Sequence, residues 1–554
     1  MKNFRENIKK VLSSTILLLC FITVSYGQVY KSYNEAMKLY EKGAYKEAAK
    51  EFDSVYEEFS FQLSNSELYN GACIYALNKE VKKALEILEY LATFANYKNL
   101  NHIETDTDLT ILHNESQWET IINQVKHNNL PTSEKVKEEL LKAKKILESD
   151  NGKLWGEQIW DDRILALAAD NSVYALTPFA GSRQDSSGLY YAKLPANTLN
   201  FVNTTQNYDN QEYATVREDY LSDNSATIIH ELFHILQSKY RMLNGTPIDY
   251  LDNYDARIWL RLEFQALRNC LNSIIKNKDK KQIDNYLQNA IVFRKMRHKG
   301  NEEFLQSELE LETLEGLANY TGYVLSTYPN KYERAIKELN QRESLDTYTR
   351  MGVYATGFAY SMIFDHLQIS WKQGLDSVYN FEEIYETKYL KHKLLINEQL
   401  IEEAKGVNNY IEIHQQETER KYVVEKRISE LRRQLVEEPT LSVSLIDPHL
   451  RMSYDANGTV MIDGAGMAYT TMIEVTDASG GNNFGSFTFS AINYPEKITG
   501  ILYTADGTFI FPLPFKQAGN KIIGDTYEII LYEGWLVKKK NDKGDYEIVK
   551  EENK

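Results

Sequence analysis

Cysteine is nearly absent from this chain. Of 554 residues only Cys20, Cys73 and Cys270 carry a thiol. Their number and spacing exclude a cysteine metal site, and Cys73 and Cys270 read as small buried core residues. Positive charge is also short: 63 Lys and Arg stand against 79 Asp and Glu, a net charge of −16. That balance argues against nucleic acid or an anionic membrane as partner. Long apolar runs are missing except near the N-terminus, so no transmembrane segment is expected in the mature chain.

The one apolar run, Val11 to Val24, follows Lys2, Arg5, Lys9 and Lys10 and precedes Ser25-Tyr26-Gly27. This is the layout of an export signal (1–27), with cleavage expected before Gln28. Cys20 would be the attachment point of a lipoprotein, but Leu19 before it is bulky where such sites take a small residue. The expected location is periplasmic or secreted. Losing the signal, with its four cations and Glu6, leaves a mature charge of about −19.

The rest predicts a multidomain α+β protein. Residues 28–130 read as helical repeats: Ala36, Gly43, Ala48 and Phe52 recur as Ala72, Lys79, Ala84 and Leu88, about 36 residues on. Residues 131–438 read as a mostly helical domain with a small sheet. A helix is expected over Ser133–Glu148, strands over Ile164–Ala168, Val173–Leu176, Leu189–Leu194, Thr198–Thr204 and Tyr213–Arg217, and helices from Tyr254 onward. Asn397–Val436 is charged and periodic, a helix that braces two domains or forms a dimer arm. Residues 439–554 read as an all-β sandwich. Strands are expected over Leu441–Leu445, Thr459–Ile462, Thr470–Val475, Gly485–Ser490, Ile498–Tyr503 and Tyr527–Tyr532, punctuated by Asn457-Gly458, Gly480-Gly481 and Asp506-Gly507.

The chemistry concentrates at His230-Glu231-Leu232-Phe233-His234. Histidines four apart project from one helix face and can grip one ion, and the glutamate between them can take a proton from its water. Thr227-Ile228-Ile229 and Ile235-Leu236 are uncharged and free of Pro and Gly, so this helix is expected to be buried, capped by Asp223 or Asn224. The rival reading is a surface helix with two incidental histidines. A catalytic Zn2+ takes three protein ligands. No third histidine follows closely, since Gln237 and Tyr240 stand three and six residues after His234, so a carboxylate is expected. Glu315, flanked by Gly316 and Ala318, is one candidate; Glu263, among Trp259, Leu260, Leu262 and Phe264, is the other, unless it pairs with Arg257, Arg261 or Arg268. Glu312 or an aspartate remains open.

Three resemblances add to this. Ala36, Tyr40, Gly43, Tyr45, Ala48 and Phe52 resemble the tetratricopeptide repeat, which implies a protein-docking groove; a cap packed on the next domain is the alternative. His-Glu-x-x-His followed by Glu315-Gly316-Leu317-Ala318-x-Tyr320 is similar to the gluzincin zinc metallopeptidases. The wider set, with Asn151-Gly152-Lys153-Leu154-Trp155-Gly156, Ala256 to Glu263 and Tyr354-Ala355-Thr356-Gly357, resembles uncharacterised exported bacterial proteins classed as peptidases. The gluzincin resemblance implies His230, His234 and Glu315 as Zn2+ ligands and Glu231 as base, with a peptide or protein as substrate. In that family an edge strand before the helix pairs with substrate, and Gln211–Val216 is the expected strand. One departure stands: the family's glutamate lies about twenty residues beyond the second histidine, and Glu315 lies 81 beyond His234, so a helical insertion is expected. Tyr354, between Gly352 and Gly357, is the expected oxyanion donor, with Tyr320 and Tyr323 as competitors; Asn319 would orient Glu315. The opposing functional reading is a non-catalytic binding or assembly protein in which repeats and β domain dock partners around a structural or inactive zinc site.

Overall fold

The computed structural model describes residues 32–59, 63–195, 198–221, 223–240, 248–345, 347–349, 351–445, 450–455, 458–477, 484–491 and 498–551. The expected export signal, Asn457 and the Gly480-Gly481 turn lie outside them. The fold is mixed α+β, with three sheets among the described residues. The chain forms two compact units. The first comprises Met1–Gly245, Leu309–Ala335 and Tyr354–Tyr389; the second comprises Thr246–Glu308, Ile336–Val353 and Leu390–Lys554.

The first unit opens with paired helices. Tyr45–Phe59 precedes Asn65–Leu77 and Val81–Thr93, and Leu100–Thr105, a 3-10 turn over Thr107–Leu112, and Ser116–Asn128 follow. Asn65 and Leu100, like Val81 and Ser116, stand 35 residues apart, so a third helix pair follows the two read from the sequence. Its first helix is broken at Asp106, whose carboxylate accepts the Asp108 N–H at 3.0 Å and starts a new turn. Ala36, Ala48, Ala72 and Ala84 are fully buried, which lets neighbouring helices approach closely.

A six-stranded sheet follows: β1 (Ile164–Leu167), β2 (Ser172–Ala175), β3 (Arg183–Gln184), β4 (Tyr190–Lys193), β5 (Thr204–Tyr208) and β6 (Gln211–Arg217), in the order β3-β4-β2-β1-β6-β5. Two expectations are corrected here. The strand expected over Thr198–Thr204 runs instead over Thr204–Tyr208, because Asp209 and Asn210 both take left-handed φ (48° and 62°) and close a two-residue hairpin into β6. Gln211–Val216 is also no edge: β6 pairs in parallel with β1 and antiparallel with β5, so its main chain is occupied on both sides. The terminal strand beside it is β5. Both β5 and β6 lie against the helix Ala226–Tyr240.

In the second unit Tyr254–Ile275 packs along Lys280–His298. Between Thr440 and Lys550 the described residues form thirteen strands in a seven-stranded and a six-stranded sheet. The sheets share one apolar core: Phe487 of one lies 4.9 and 5.0 Å, ring to ring, from Phe509 and Phe511 of the other. The charged helix Tyr410–Arg432 links the two parts of this unit. Its Glu417 accepts Arg257 at 2.9 Å and Arg261 at 3.0 Å, while Leu431 joins the core of Ile462, Ala468 and Leu502.

Candidate metal centre

The helix Ala226–Tyr240 starts on an unusual approach. Asn224 and Ser225 both have positive φ, 60° and 73°, a conformation that L-residues adopt at a cost and that gathers at functional sites. Asp223 caps the start: its Oδ2 accepts the Thr227 N–H at 2.8 Å and the Thr227 hydroxyl. Ile228, Ile229, Leu232, Phe233 and Ile235 are fully buried, as the uncharged flanks predict.

The glutamate arrives on a second helix of the same unit. Leu317–Leu325 is preceded by a π-helical turn, Glu312–Gly316, and such turns recur at functional sites. Two contacts need glycine. A Cβ on Gly322 would lie 2.6 Å from the Ala226 carbonyl oxygen, and one on Gly316 would lie 2.8 Å from Gly357 Cα. Bare backbone at Gly322 therefore lets the glutamate helix lie against the histidine helix. Trp155, from the Asn151–Gly156 turn, packs on Phe233 (5.4 Å between rings) and donates to Thr321 Oγ1 at 2.9 Å, touching both helices.

Three ligand atoms converge. His230 Nε2 and His234 Nε2 are 3.0 Å apart, and Glu315 Oε2 lies 3.6 and 3.7 Å from them. A tetrahedral ion with bonds of about 2.0–2.1 Å spaces its ligands roughly 3.4 Å apart. The donor set, two imidazoles and one carboxylate, suits Zn2+ and leaves a fourth position. Beside it Glu231 is buried, and its Oε2 has no hydrogen-bond partner among the described residues. Burial pushes the Glu231 carboxyl above its ordinary value, against the pull of His230 and His234. Burial also opposes charge on the ligands, yet hydrogen bonds from His230 and His234 hold Glu315 well below the carboxylate range. Burial likewise disfavours the His234 imidazolium, but Glu315 outweighs it and pushes that group up to about 9. The cluster is built to hold positive charge.

Comparison with protein-family models, with curated proteins and with solved structures finds no match for this chain. What the site can do is argued from its own atoms.

The remaining candidates are not among the converging ligand atoms. Glu263 is fully buried between Arg294 (3.1 Å) and Arg297 (2.7 Å), so an ion pair claims it, with partners other than the three arginines expected. Arg257, Arg261 and Arg268 instead serve Glu417 and Glu343. Glu312 is buried and accepts the Thr356 hydroxyl at 2.5 Å. Tyr354 is buried at the start of Tyr354–His366, the helix whose Gly357 meets Gly316. The Tyr320 hydroxyl donates to Asp365, and the Tyr323 ring stacks on Phe358 at 5.3 Å. Asn319 lies one turn beyond Glu315, its buried Nδ2 unpartnered among the described residues. A second cluster, Cys73 with Asp106 and Asp108, is a hydrogen-bonded core: Tyr69 donates to Asp106 at 3.1 Å, Tyr40 donates to Asp108, and burial pushes the Cys73 thiol up.

In the sequence Gln237 stands out only as a residue three positions past His234 where no third histidine follows. In the structure its Oε1 is 2.9 Å from His234 Nδ1, and its Nε2 donates to the Thr313 and Leu314 carbonyls at 3.0 and 3.2 Å. Its spacing carries the signal: three residues past a ligand, a buried side chain on a helix points back over that ligand.

Proposed function

We propose that the protein is an exported zinc-dependent peptidase of gluzincin-like design, hydrolysing peptide bonds in peptides or proteins. The observation that supports it most is the convergence of His230 Nε2, His234 Nε2 and Glu315 Oε2 beside buried Glu231, whose Oε2 has no hydrogen-bond partner among the described residues. His230, His234 and Glu315 would hold Zn2+. When bound, the ion supplies Lewis-acid polarisation of the peptide carbonyl and eases deprotonation of the attacking water. Glu231 takes that proton on Oε2, which its raised affinity for protons suits, and hands it to the leaving amine. Tyr354 is the proposed donor to the developing oxyanion. An extended substrate would add to β5, the terminal strand beside the histidine helix.

The test measures zinc content and casein cleavage together. Glu231→Gln is expected to keep zinc and lose cleavage by about 100- to 10,000-fold. Glu315→Ala is expected to lose zinc as well. Cleavage that survives Glu231→Gln would sink the catalytic reading; zinc without cleavage in the wild type, across a broad peptide library, would favour the binding or assembly reading.

A further inference from the structure

Gln237 is buried, and its amide has a forced orientation. The Thr313 and Leu314 carbonyl oxygens, 3.0 and 3.2 Å away, can only accept, so the atom facing them is the NH2 group. Gln237 Oε1 must then face His234 Nδ1 at 2.9 Å, and since that oxygen can only accept, Nδ1 carries the proton. In the neutral imidazole, the form that binds a metal, this tautomer leaves the Nε2 lone pair of His234 facing His230 Nε2, 3.0 Å away, and Glu315. The same side chain grips the turn that carries Glu315. Thr313 and Leu314 are the two residues before it, inside the π turn Glu312–Gly316. An i→i+5 turn is a strained departure from helix and needs support from outside its own ladder. That support comes from Gln237 on one side and from the Tyr379 N–H, which donates to Thr313 Oγ1 at 2.9 Å, on the other.

We infer that Gln237 is a positioning residue: one amide sets the tautomer and ring direction of His234 and locks the π turn that aims Glu315 at the same point. The inference rests on the zinc reading of the triad. Gln237 is not itself among the converging ligand groups; its contacts are with His234 and with the two carbonyls. It acts by joining two ligands on different helices into one rigid unit, and outer partners of this kind are worth about 10- to 100-fold in metal affinity.

Two nearly isosteric variants of the full chain separate its halves. Gln237→Met neither accepts nor donates. Gln237→Glu still accepts from His234 Nδ1 but cannot donate to the two carbonyls. Zinc dissociation constants, from chelator competition, are expected to rise about 10- to 100-fold in Gln237→Met, with part of the loss recovered in Gln237→Glu. Hydrogen exchange in the zinc-free protein is expected to quicken over Glu312–Asn319 in both variants and to stay unchanged over Tyr254–Ile275, which shows that the fold is intact. Wild-type zinc affinity in both variants, with unchanged exchange at the π turn, would overturn the inference. A wild-type protein that takes no zinc would overturn the zinc reading and, with it, any positioning role for Gln237, whatever the exchange shows.

Discussion

Single buried carboxylates behave differently here according to what faces them. Glu263, fully buried, meets two guanidinium groups and Glu315 meets two imidazoles, whereas Glu139 meets little. Its nearest cation, Lys142, stands at 3.7 Å, His127 Nε2 at 3.4 Å, and the charges of Asp223 and Glu138 act against it. Burial pushes the Glu139 carboxyl up to about 7 despite Lys142. In the unfolded chain such a group ionises near 4.3, so between those values the native state holds the extra proton. Stability attributable to Glu139 is therefore full below about pH 4 and lost as pH rises through about 7, on the order of 3 kcal/mol. Glu139→Gln removes that slope. In urea unfolding the variant is expected to match wild type at pH 4 and exceed it at pH 8. His127, lowered by burial and then by Lys135, slopes the other way, so only the difference between variant and wild type isolates Glu139. Equal differences at both pH values would refute this account.

Between elements, the decisive contact is the glutamate helix against the histidine helix. Gly322→Ala sets two effects against each other. Helix propensity favours alanine by about 1 kcal/mol. The new Cβ, however, would lie 2.6 Å from the Ala226 carbonyl oxygen, a backbone atom that cannot swing away, and forcing such contacts costs about 1–3 kcal/mol. The clash wins: Gly322→Ala is expected to lower the melting temperature and weaken zinc binding, since it lifts Glu315 from the histidines. Gly406→Ala, with nothing within 4 Å of its Cβ among the described residues, serves as the comparison and is expected to be neutral or slightly stabilising. Similar zinc affinities in the two variants would count against the close-approach argument. The sequence pointed to small residues beside Glu315 as the means of close approach, but Gly316 meets Gly357 on the helix Tyr354–His366, and it is Gly322, a turn and a half further on, that meets the histidine helix. The spacing of the two histidines, the Asp223 cap and the apolar character of their helix were legible because each is local. Less local features were not. The polar strand Thr204–Tyr208 has little hydrophobic alternation, and only its Asp209-Asn210 turn marks it. Seven C-terminal strands escaped the sequence reading. Short polar-faced runs such as Phe515–Ala518 and Lys521–Gly524 become strands through their neighbours rather than their own pattern. The π turn and the Gln237 tie depend on residues 76 and 77 positions apart.

At the scale of the whole chain, the long gap between His234 and Glu315 has a structural reason. Thr246–Glu308 belongs to the second unit and supplies 63 of the 80 residues between them. Without it the ligands would stand 18 residues apart, near the spacing of the gluzincin pattern. The three candidate ligands, with Glu231 and Gln237, fall in the first unit, although they come from two separated stretches of chain. An ion bound there closes a long loop and stabilises only states in which His230, His234 and Glu315 are together. Such linkage contributes RT ln(1 + [L]/Kd), about 4 kcal/mol when free zinc is a thousandfold above Kd. Openings that separate the ligands should thus be about 1,000-fold rarer with zinc than after chelation. Hydrogen exchange with and without chelator is expected to show that protection over Ala226–Tyr240 and Leu317–Leu325, and little change over Tyr254–Ile275 or the C-terminal strands. Protection lost evenly across both units would mean that the metal supports the chain globally, and that the triad does not close the gap as a local clasp.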